Sequence, residues 1–165
     1  MIGINISDIR NTIVKGIKEY TGFITVDTDN PHNKPKYPYY SYKMTSLYVP
    51  DQFTGTLGQI NKIDTIEQSL VLQPKMTISF NSYSDDVVEA NQAALKAWEW
   101  FKFVGYLKLK DKNIIVVDVM SIQDRTVMLV DDYEHRQGFD VVFRTTHTIE
   151  REIETIEKFE FKESE

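Results

Sequence analysis

The chain has no cysteine, so disulfides and thiolate chemistry, whether catalytic or zinc-binding, are excluded. Glycine and proline are sparse, seven and five in 165 residues, which excludes collagen-like and low-complexity architectures. Long hydrophobic runs are missing too. Nothing approaches the ~20 apolar residues of a membrane-spanning helix, and no basic head precedes an apolar block at the N-terminus. The expectation is a chain made in the cytoplasm and kept out of membranes. Positive charge is in deficit: 19 Lys and Arg stand against 25 Asp and Glu, a formal net charge of −6. That argues against a protein that coats nucleic acid, whose affinity comes largely from neutralising phosphates.

What is present is enough for a core. Hydrophobic residues make up 41% and aromatics 12% of the chain, and 165 residues fit one domain. We expect a single domain over 1–165, with an acidic extension from about 150. Residues 150–165 hold seven Glu against three Lys or Arg.

Taken in order, residues 7–20 carry Ile9, Ile13, Val14, Ile17 and Tyr20 at helical spacing, with Ser7 or Asp8 as cap and Gly22 just past the end. Gly16 inside that helix costs about 1 kcal/mol in propensity, so packing must support it. Phe23 to Val26 reads as a short strand and Asp27 to Pro38 as a proline-rich loop. Tyr39 to Val49 alternates as a strand, and Pro50 to Asp64 reads as a long connection. Ile66, Leu70, Leu72, Met76, Ile78 and Phe80 keep one parity across Pro74, which must mark an edge, a bulge or a break. Together these two strands suggest a long β-hairpin standing clear of the core.

A second helix is capped by Ser84 and followed by Gly105, with Val87, Val88, Ala94, Leu95, Trp98 and Phe101 as its buried face. Trp98 and Trp100, two residues apart on a helix, cannot share a direction. Ile114 to Ile122, apolar on both parities, reads as a strand covered on both faces. Val127 to Val130 is a short apolar run. Before Gly138 the charged run from Asp131 to Arg136 reads as a turn; after it, Phe139, Val141 and Phe143 alternate with Asp140, Val142 and Arg144, a half-buried strand. Gly138 itself suits a bulge or a positive-φ turn. Asp140 and Arg144 lie ~13 Å apart along that strand and need other partners. A last short strand is expected near 156–161. The fold class is α+β: a mixed or antiparallel sheet with two helices packed on one face, plus a protruding β-hairpin.

The motifs of familiar chemistry are absent. There is no GxxxxGK[ST] or GxGxxG phosphate cradle, no GxSxG elbow, and His32, His135 and His147 have no metal-ligand spacing. No cofactor and no metal are expected. Asp85-Asp86 is explained by helix capping and Asp131-Asp132 by turn chemistry. A nuclease could be built from Asp140 with Glu160 and Lys162 around a metal ion, but such an E-x-K triplet arises easily in a Glu- and Lys-rich tail.

The remaining polar candidates point to association. Arg125, Arg136 and Arg144 fit a subunit interface, where arginine pairs bidentately with a neighbour's carboxylates, and Asp140 fits the same surface. The alternative is a solvated sheet face with intrachain pairs. Tyr37 and Tyr39, left over from the alternation of Tyr40, Tyr42 and Tyr48, fit a contact patch.

From residue 84 to 147 a known family comes into view. A helix rich in Ala, Leu and Trp leads to Asn113-Ile114-x-Val116, a turn with Asp124-Arg125, then Tyr133-Glu134-x-Arg136-x-Gly138-Phe139-Asp140-Val141 and a polar strand. This series resembles the tail-terminator or neck proteins of long-tailed bacteriophages; the N-terminal half agrees only in element order. The resemblance implies a non-enzymatic virion protein, a small α+β subunit forming a hexameric homo-oligomeric ring. It implies that the ring caps the tail tube protein, ends tail polymerisation and joins the tail to the head–tail connector or stopper protein. DNA would pass through the lumen without specific binding, and assembly would occur in the host cytoplasm. A head–tail stopper or another minor neck or tail protein is the alternative. The Glu-rich C-terminus is not explained by the resemblance.

Overall fold

The structure, a computed structural model, describes residues 3–30, 33–52, 54–130 and 133–154. Helix α1 (Ile6–Thr21) is followed by strands β1 (Thr25–Asp27), β2 (Tyr39–Val49), β3 (Thr56–Asn61), β4 (Thr65–Leu72) and β5 (Lys75–Ser84). Helix α2 (Val87–Glu99) passes through a π turn (Trp100–Val104) into α3 (Tyr106–Asp111). Strands β6 (Ile115–Val119), β7 (Gln123–Asp124), β8 (Val127–Met128), β9 (Tyr133–Arg144) and β10 (His147–Glu154) complete it.

A long two-stranded ribbon organises these elements. β5 pairs antiparallel with β9 from Ser84 opposite His135 to Lys75 opposite Arg144. β4 pairs with β10 from Leu72 opposite His147 to Thr65 opposite Glu154. Two residues separate the two ladders on each strand, 73–74 and 145–146, so a single register spans both. Pro74 breaks the strand, as its missing N–H requires, yet its carbonyl still accepts from the Thr145 amide at 3.1 Å. Around the inner half lies a seven-stranded mixed sheet ordered β1-β2-β5-β9-β6, with β7 and β8 also pairing with β9. Only β1 runs parallel to its neighbour. Around the outer half lies a three-stranded sheet ordered β10-β4-β3.

The helices cover one face of the larger sheet. Ile9, Ile13 and Ile17 of α1 and Ala93 and Ala97 of α2 meet Tyr40, Tyr42, Met76, Ile78, Phe80, Phe139, Val141 and Phe143. Phe101 sits at the centre, with its ring centroid 5.3 Å from Phe80, 6.0 Å from Phe139 and 5.9 Å from Phe143. The π turn, closed by the Gly105 amide on the Trp100 carbonyl at 2.7 Å, lets consecutive large rings, Trp100 and Phe101, both enter the core.

Several sequence expectations change. The helix caps are Asn5, whose Oδ1 accepts from the Asp8 amide at 3.1 Å, and Asp86, whose Oδ1 accepts from the Glu89 amide at 2.8 Å. Ser7, Asp8 and Ser84 are not the caps; Ser84 Oγ instead accepts from the Asp86 amide and donates to Glu89. The buried face of α2 is its alanines, Ala90, Ala93, Ala94 and Ala97, while Val87, Val88 and Leu95 are exposed. Small side chains bring this helix close enough for Tyr40 and Ser82 hydroxyls to donate to the Ala93 and Ala90 carbonyls, at 2.7 and 2.8 Å. Of the residues expected on the buried face, Ala94 and Phe101 are buried and Trp98 is half-buried, so bulk misled only at Val87, Val88 and Leu95. Gly105 does not end the helical path, which continues into α3.

β6 is not covered on both faces: Val117 and Asp118 are exposed, because helices lie on one face only. β2 joins the core sheet rather than a free hairpin. What extends beyond the helices is the three-stranded sheet, with β3 drawn from the segment read as a connection. The strand expected near 156–161 lies outside the described residues. The directions of the two tryptophans do differ: Trp100 is buried, and half-buried Trp98 donates Nε1–H to the Met120 carbonyl at 3.0 Å.

Gly16 has a clear reason to be glycine. A Cβ there would lie 2.2 Å from Trp100 Cζ2, and one on Gly105 would lie 2.3 Å from Trp100 Cε2. The indole is held between the two. Gly16→Ala improves helix propensity by about 1 kcal/mol but overpacks a rigid ring, which costs about 1–3 kcal/mol. We expect a net loss of stability, read as a lower Tm; a raised Tm would show that Trp100 yields freely.

Candidate interaction surfaces

The open face of the larger sheet carries two polar constellations. Arg125, in the turn after β7, lies over β9 and β5. Its Nη1 donates to Ser79 Oγ at 2.7 Å and Asn81 Oδ1 at 3.0 Å, and its Nη2 to Asp140 Oδ1 at 3.2 Å. Gly138 makes room for it: a Cβ there would meet Asn81 Oδ1 at 2.1 Å and Arg125 Nη1 at 2.7 Å. Gly138 therefore neither bulges nor turns the chain. It sits inside β9 with no register shift against β5, and Tyr133 to Arg136 are strand rather than turn. Asp131 and Asp132 lie outside the described residues.

The second constellation surrounds Glu134, which is buried. Tyr37 donates to Glu134 Oε2 at 2.5 Å and Lys34 Nζ stands 2.6 Å from the same oxygen. Arg136 Nε and Nη2 donate to Oε1 at 3.1 and 2.8 Å. Tyr37, Tyr39 and Tyr83 stack in succession at 5.8 and 4.8 Å, and the Arg136 guanidinium covers Tyr83 at 5.0 Å. The loop after β1 is thereby pinned onto the sheet. Burial alone would push the Glu134 carboxyl up, but hydrogen bonds from Lys34, Tyr37 and Arg136 outweigh it and hold the group below its ordinary value. Lys34 is raised by its bond to Glu134, and burial pushes the Tyr39 phenol up to about 12. Sequence reading missed Glu134, although Glu134-x-Arg136 in a strand places both on one face.

The six anticipated residues thus separate. Arg125 pairs with Asp140; Arg136, Tyr37 and Tyr39 build the Glu134 cluster. Arg144 stands across from Lys75 in the ladder, a like-charge pair, with no ion-pair or hydrogen-bonding side chain facing it among the described residues. Of the residues in the nuclease reading, Asp140 accepts from Arg125 at 3.2 Å, and Glu160 and Lys162 lie outside the described residues.

The smaller sheet is two-faced. Its ladders place Leu57, Leu70 and Ile149 in one row across three strands, and Ile66 beside Ile153 in another, all on the face continuous with Phe80 and Phe143. Between them, Gln59, Gln68 and Arg151 bond to one another at 3.3 and 2.8 Å. Gly55 packs on the Leu72 end, but no residue of β3, β4 or β10 is buried. The opposite face carries Glu67, Glu150, Glu152 and Glu154, with Lys62 bound to Glu67 at 2.6 Å.

Residues 11–165 match the family described as phage neck terminator protein. No curated protein matches the chain.

Replacing Glu134 by Gln keeps its shape and removes the charge that three donors share. A hydrogen bond to a charged group contributes about 1.5–3 kcal/mol, so Glu134→Gln should lower stability by about 2 kcal/mol near neutral pH. The native carboxyl is lowered relative to 4.5, so its contribution is complete above that pH and fades as the pH falls through the native value. Denaturation of both proteins across pH should show the gap closing on acidification; a gap constant with pH would mean that the charge contributes nothing.

Proposed function

Since the chain belongs to the phage neck terminator protein family, we propose that it acts as a closed ring, six copies around, that caps the tail tube. Membership alone makes it a structural protein of the virion neck that associates with other tail and head proteins. Our finer reading is that the ring ends tube polymerisation, then presents its far side to the head–tail connector, and that it assembles in the host cytoplasm. DNA passes through without being gripped, since an acidic subunit offers its phosphates little attraction. The role is positional, with no catalytic step.

The observation that carries the ring is the uncovered outer half of the ribbon. The apolar rows of this three-stranded sheet have no second layer among the described residues, which leaves them open to a partner. A face that differs from its counterpart on the same subunit produces head-to-tail contact, which closes into a ring when the rotation permits.

Light scattering on the purified protein over a wide concentration range, with images of the same sample, tests this. A closed species near six times 19.3 kDa, formed alone or on added tail tubes, is the expected result. Monomers that neither close nor bind tubes would overturn it, and binding to the head connector alone would assign a stopper instead. Arg144, with no charge partner among the described residues, belongs in our reading to the subunit contact. Arg144→Ala should change stability by no more than about 0.5 kcal/mol while weakening ring formation. Arg125→Ala should do the reverse, because it strips Asp140, Ser79 and Asn81 of their donor.

A further inference from the structure

We propose that two copies of the free protein pair face to face about a twofold axis, each setting its Lys75–Arg144 rung on the Glu67–Glu152 rung of the other. The pair lies outside the ring reading and uses the polar face of the ribbon. The apolar rows on the other face stay open. Three observations support it.

The first is two like-charge rungs. Lys75 stands opposite Arg144, and Glu67 opposite Glu152. Like charges directly across a ladder repel and weaken the sheet that holds them. The rungs are an even number of residues apart, 67 to 75 and 144 to 152, in one register, so all four side chains share a face. Lys75, Arg144 and Glu152 have no ion pair among the described residues, and Glu67 has Lys62 alone. Of the carboxylates nearest Arg144 on that face, Asp140 is held by Arg125, and Asp118, opposite Val142, pairs with neither cation.

The second is the spacing. Midway between the rungs stands Val71 opposite Thr148, at the centre of 67, 71, 75 and of 144, 148, 152. Consider a twofold axis through that rung, lying between two facing sheets and running across their strands. It reverses strand direction and keeps lateral order. Lys75 then lies over the partner's Glu67 and Arg144 over the partner's Glu152, and both contacts recur on the other side of the axis. Such a face is self-complementary, as a twofold contact requires.

The third is what flanks the rungs. Val49 pairs with Lys75 and Ile60 with Glu67. β2 and β3 lie on the same side of the ribbon, away from β9 and β10. Val49 is 43% exposed and Ile60 63%, and the same rotation sets one over the other. The row Val49, Lys75, Arg144 thus meets Ile60, Glu67, Glu152, apolar on apolar and cation on carboxylate. Between the rungs the face carries Ser69, Val71, Gln73, Thr146 and Thr148, uncharged side chains that allow sheets to pack about 10 Å apart. Glu150 is the one charge among them, and it falls over Thr146, beside Arg144. A second copy supplies this ordered row by construction. The contact uses one face twice, so it closes at two, and it occupies the Arg144 that the ring needs. The pair is therefore a form of the free protein that gives way to the ring. Held largely by exposed ion pairs, it is weak and sensitive to salt.

Light scattering of the purified protein in low salt, at rising concentration, reads the pair. We expect a species of twice 19.3 kDa that dissociates in about 1 M salt, where the Debye length falls to ~3 Å. Arg144→Glu should weaken pairing about tenfold or more. It should leave Tm unchanged or raised, because it turns the Lys75 rung into an opposite-charge one. Adding Glu152→Arg restores cation against carboxylate across the axis and should recover the pairing. The chain has no cysteine, so Thr148→Cys places one thiol per copy beside its twin on the axis. A short bis-maleimide should link that variant to itself, and Ile149→Cys, on the opposite face, should give few dimers. A monomer at every concentration in low salt would overturn the inference, as would pairing indifferent to salt or to Arg144→Glu. So would a double variant that fails to pair, or crosslinks from Ile149→Cys in place of Thr148→Cys. The ring is judged separately, on tail tubes. A ring with no pair at any concentration would sink this inference alone, and a pair that never caps tubes would sink the ring alone.

Discussion

The pairing of β5 with β9, extended without a slip into β4 with β10, is the interaction on which the rest depends. Side chains alternate with a period of two, so a slip by one residue would send Phe80, Phe139 and Phe143 to the solvent face. Holding one register through Pro74 and Thr145 keeps the apolar face on the same side along the whole ribbon. The break at Pro74 loses a donor, not the alignment, because the proline carbonyl still receives the Thr145 amide. One continuous ladder thus supports two sheets of different character: an inner one with a helical layer and an outer one that has none among the described residues.

The inner half is closed by size matching. The α2 alanines bring that helix down onto the sheet, the π turn then feeds Trp100 and Phe101 inward together, and Gly16 and Gly105 leave the indole its space. Each step depends on the one before. A bulkier α2 face would lift Phe101 away from Phe80 and Phe139, and without the two glycines Trp100 would have no slot. The open face is held differently, by charge-assisted bonds laid over a glycine. Arg125 ties β5 to β9 across Gly138, and Glu134 ties the loop after β1 to the end of β9. Both are polar devices on a face with no second layer among the described residues, where hydrogen bonds and stacked rings take the place of apolar burial.

Much of this was legible in the sequence. The single parity from Ile66 to Phe80 announced the ribbon, Gly22 marked the end of α1, and the family resemblance rested on residues that turn out to lie along α2, β6, β9 and the Arg125 turn. What was not legible has physical causes. Ranking by bulk hid the alanine face of α2. Gly138 was read through its backbone freedom, whereas its role is to leave space for a side chain from a distant turn, which no local pattern encodes. Glu134 was assigned to a turn because charged residues crowd 131–136, and only the pairing with β8 and the loop from β1 buries it. The third strand of the outer sheet, β3, has Gly58 and alternating polar residues and little apolar signal beyond Leu57 and Ile60; tertiary pairing rather than propensity makes it a strand.

The division between the two halves bears on how an acidic subunit associates with itself. Apolar burial is short-ranged and has no preference of direction, while charge sets orientation and is weakened by salt. A chain of net charge −6 that relied on apolar contact alone would meet repulsion in nearly every approach. Gathering lysines along α2, the π turn and α3 gives this acidic chain one stretch of opposite sign, and with it a preference among orientations of approach. The Arg125 and Glu134 constellations, for their part, pair their charges within the subunit.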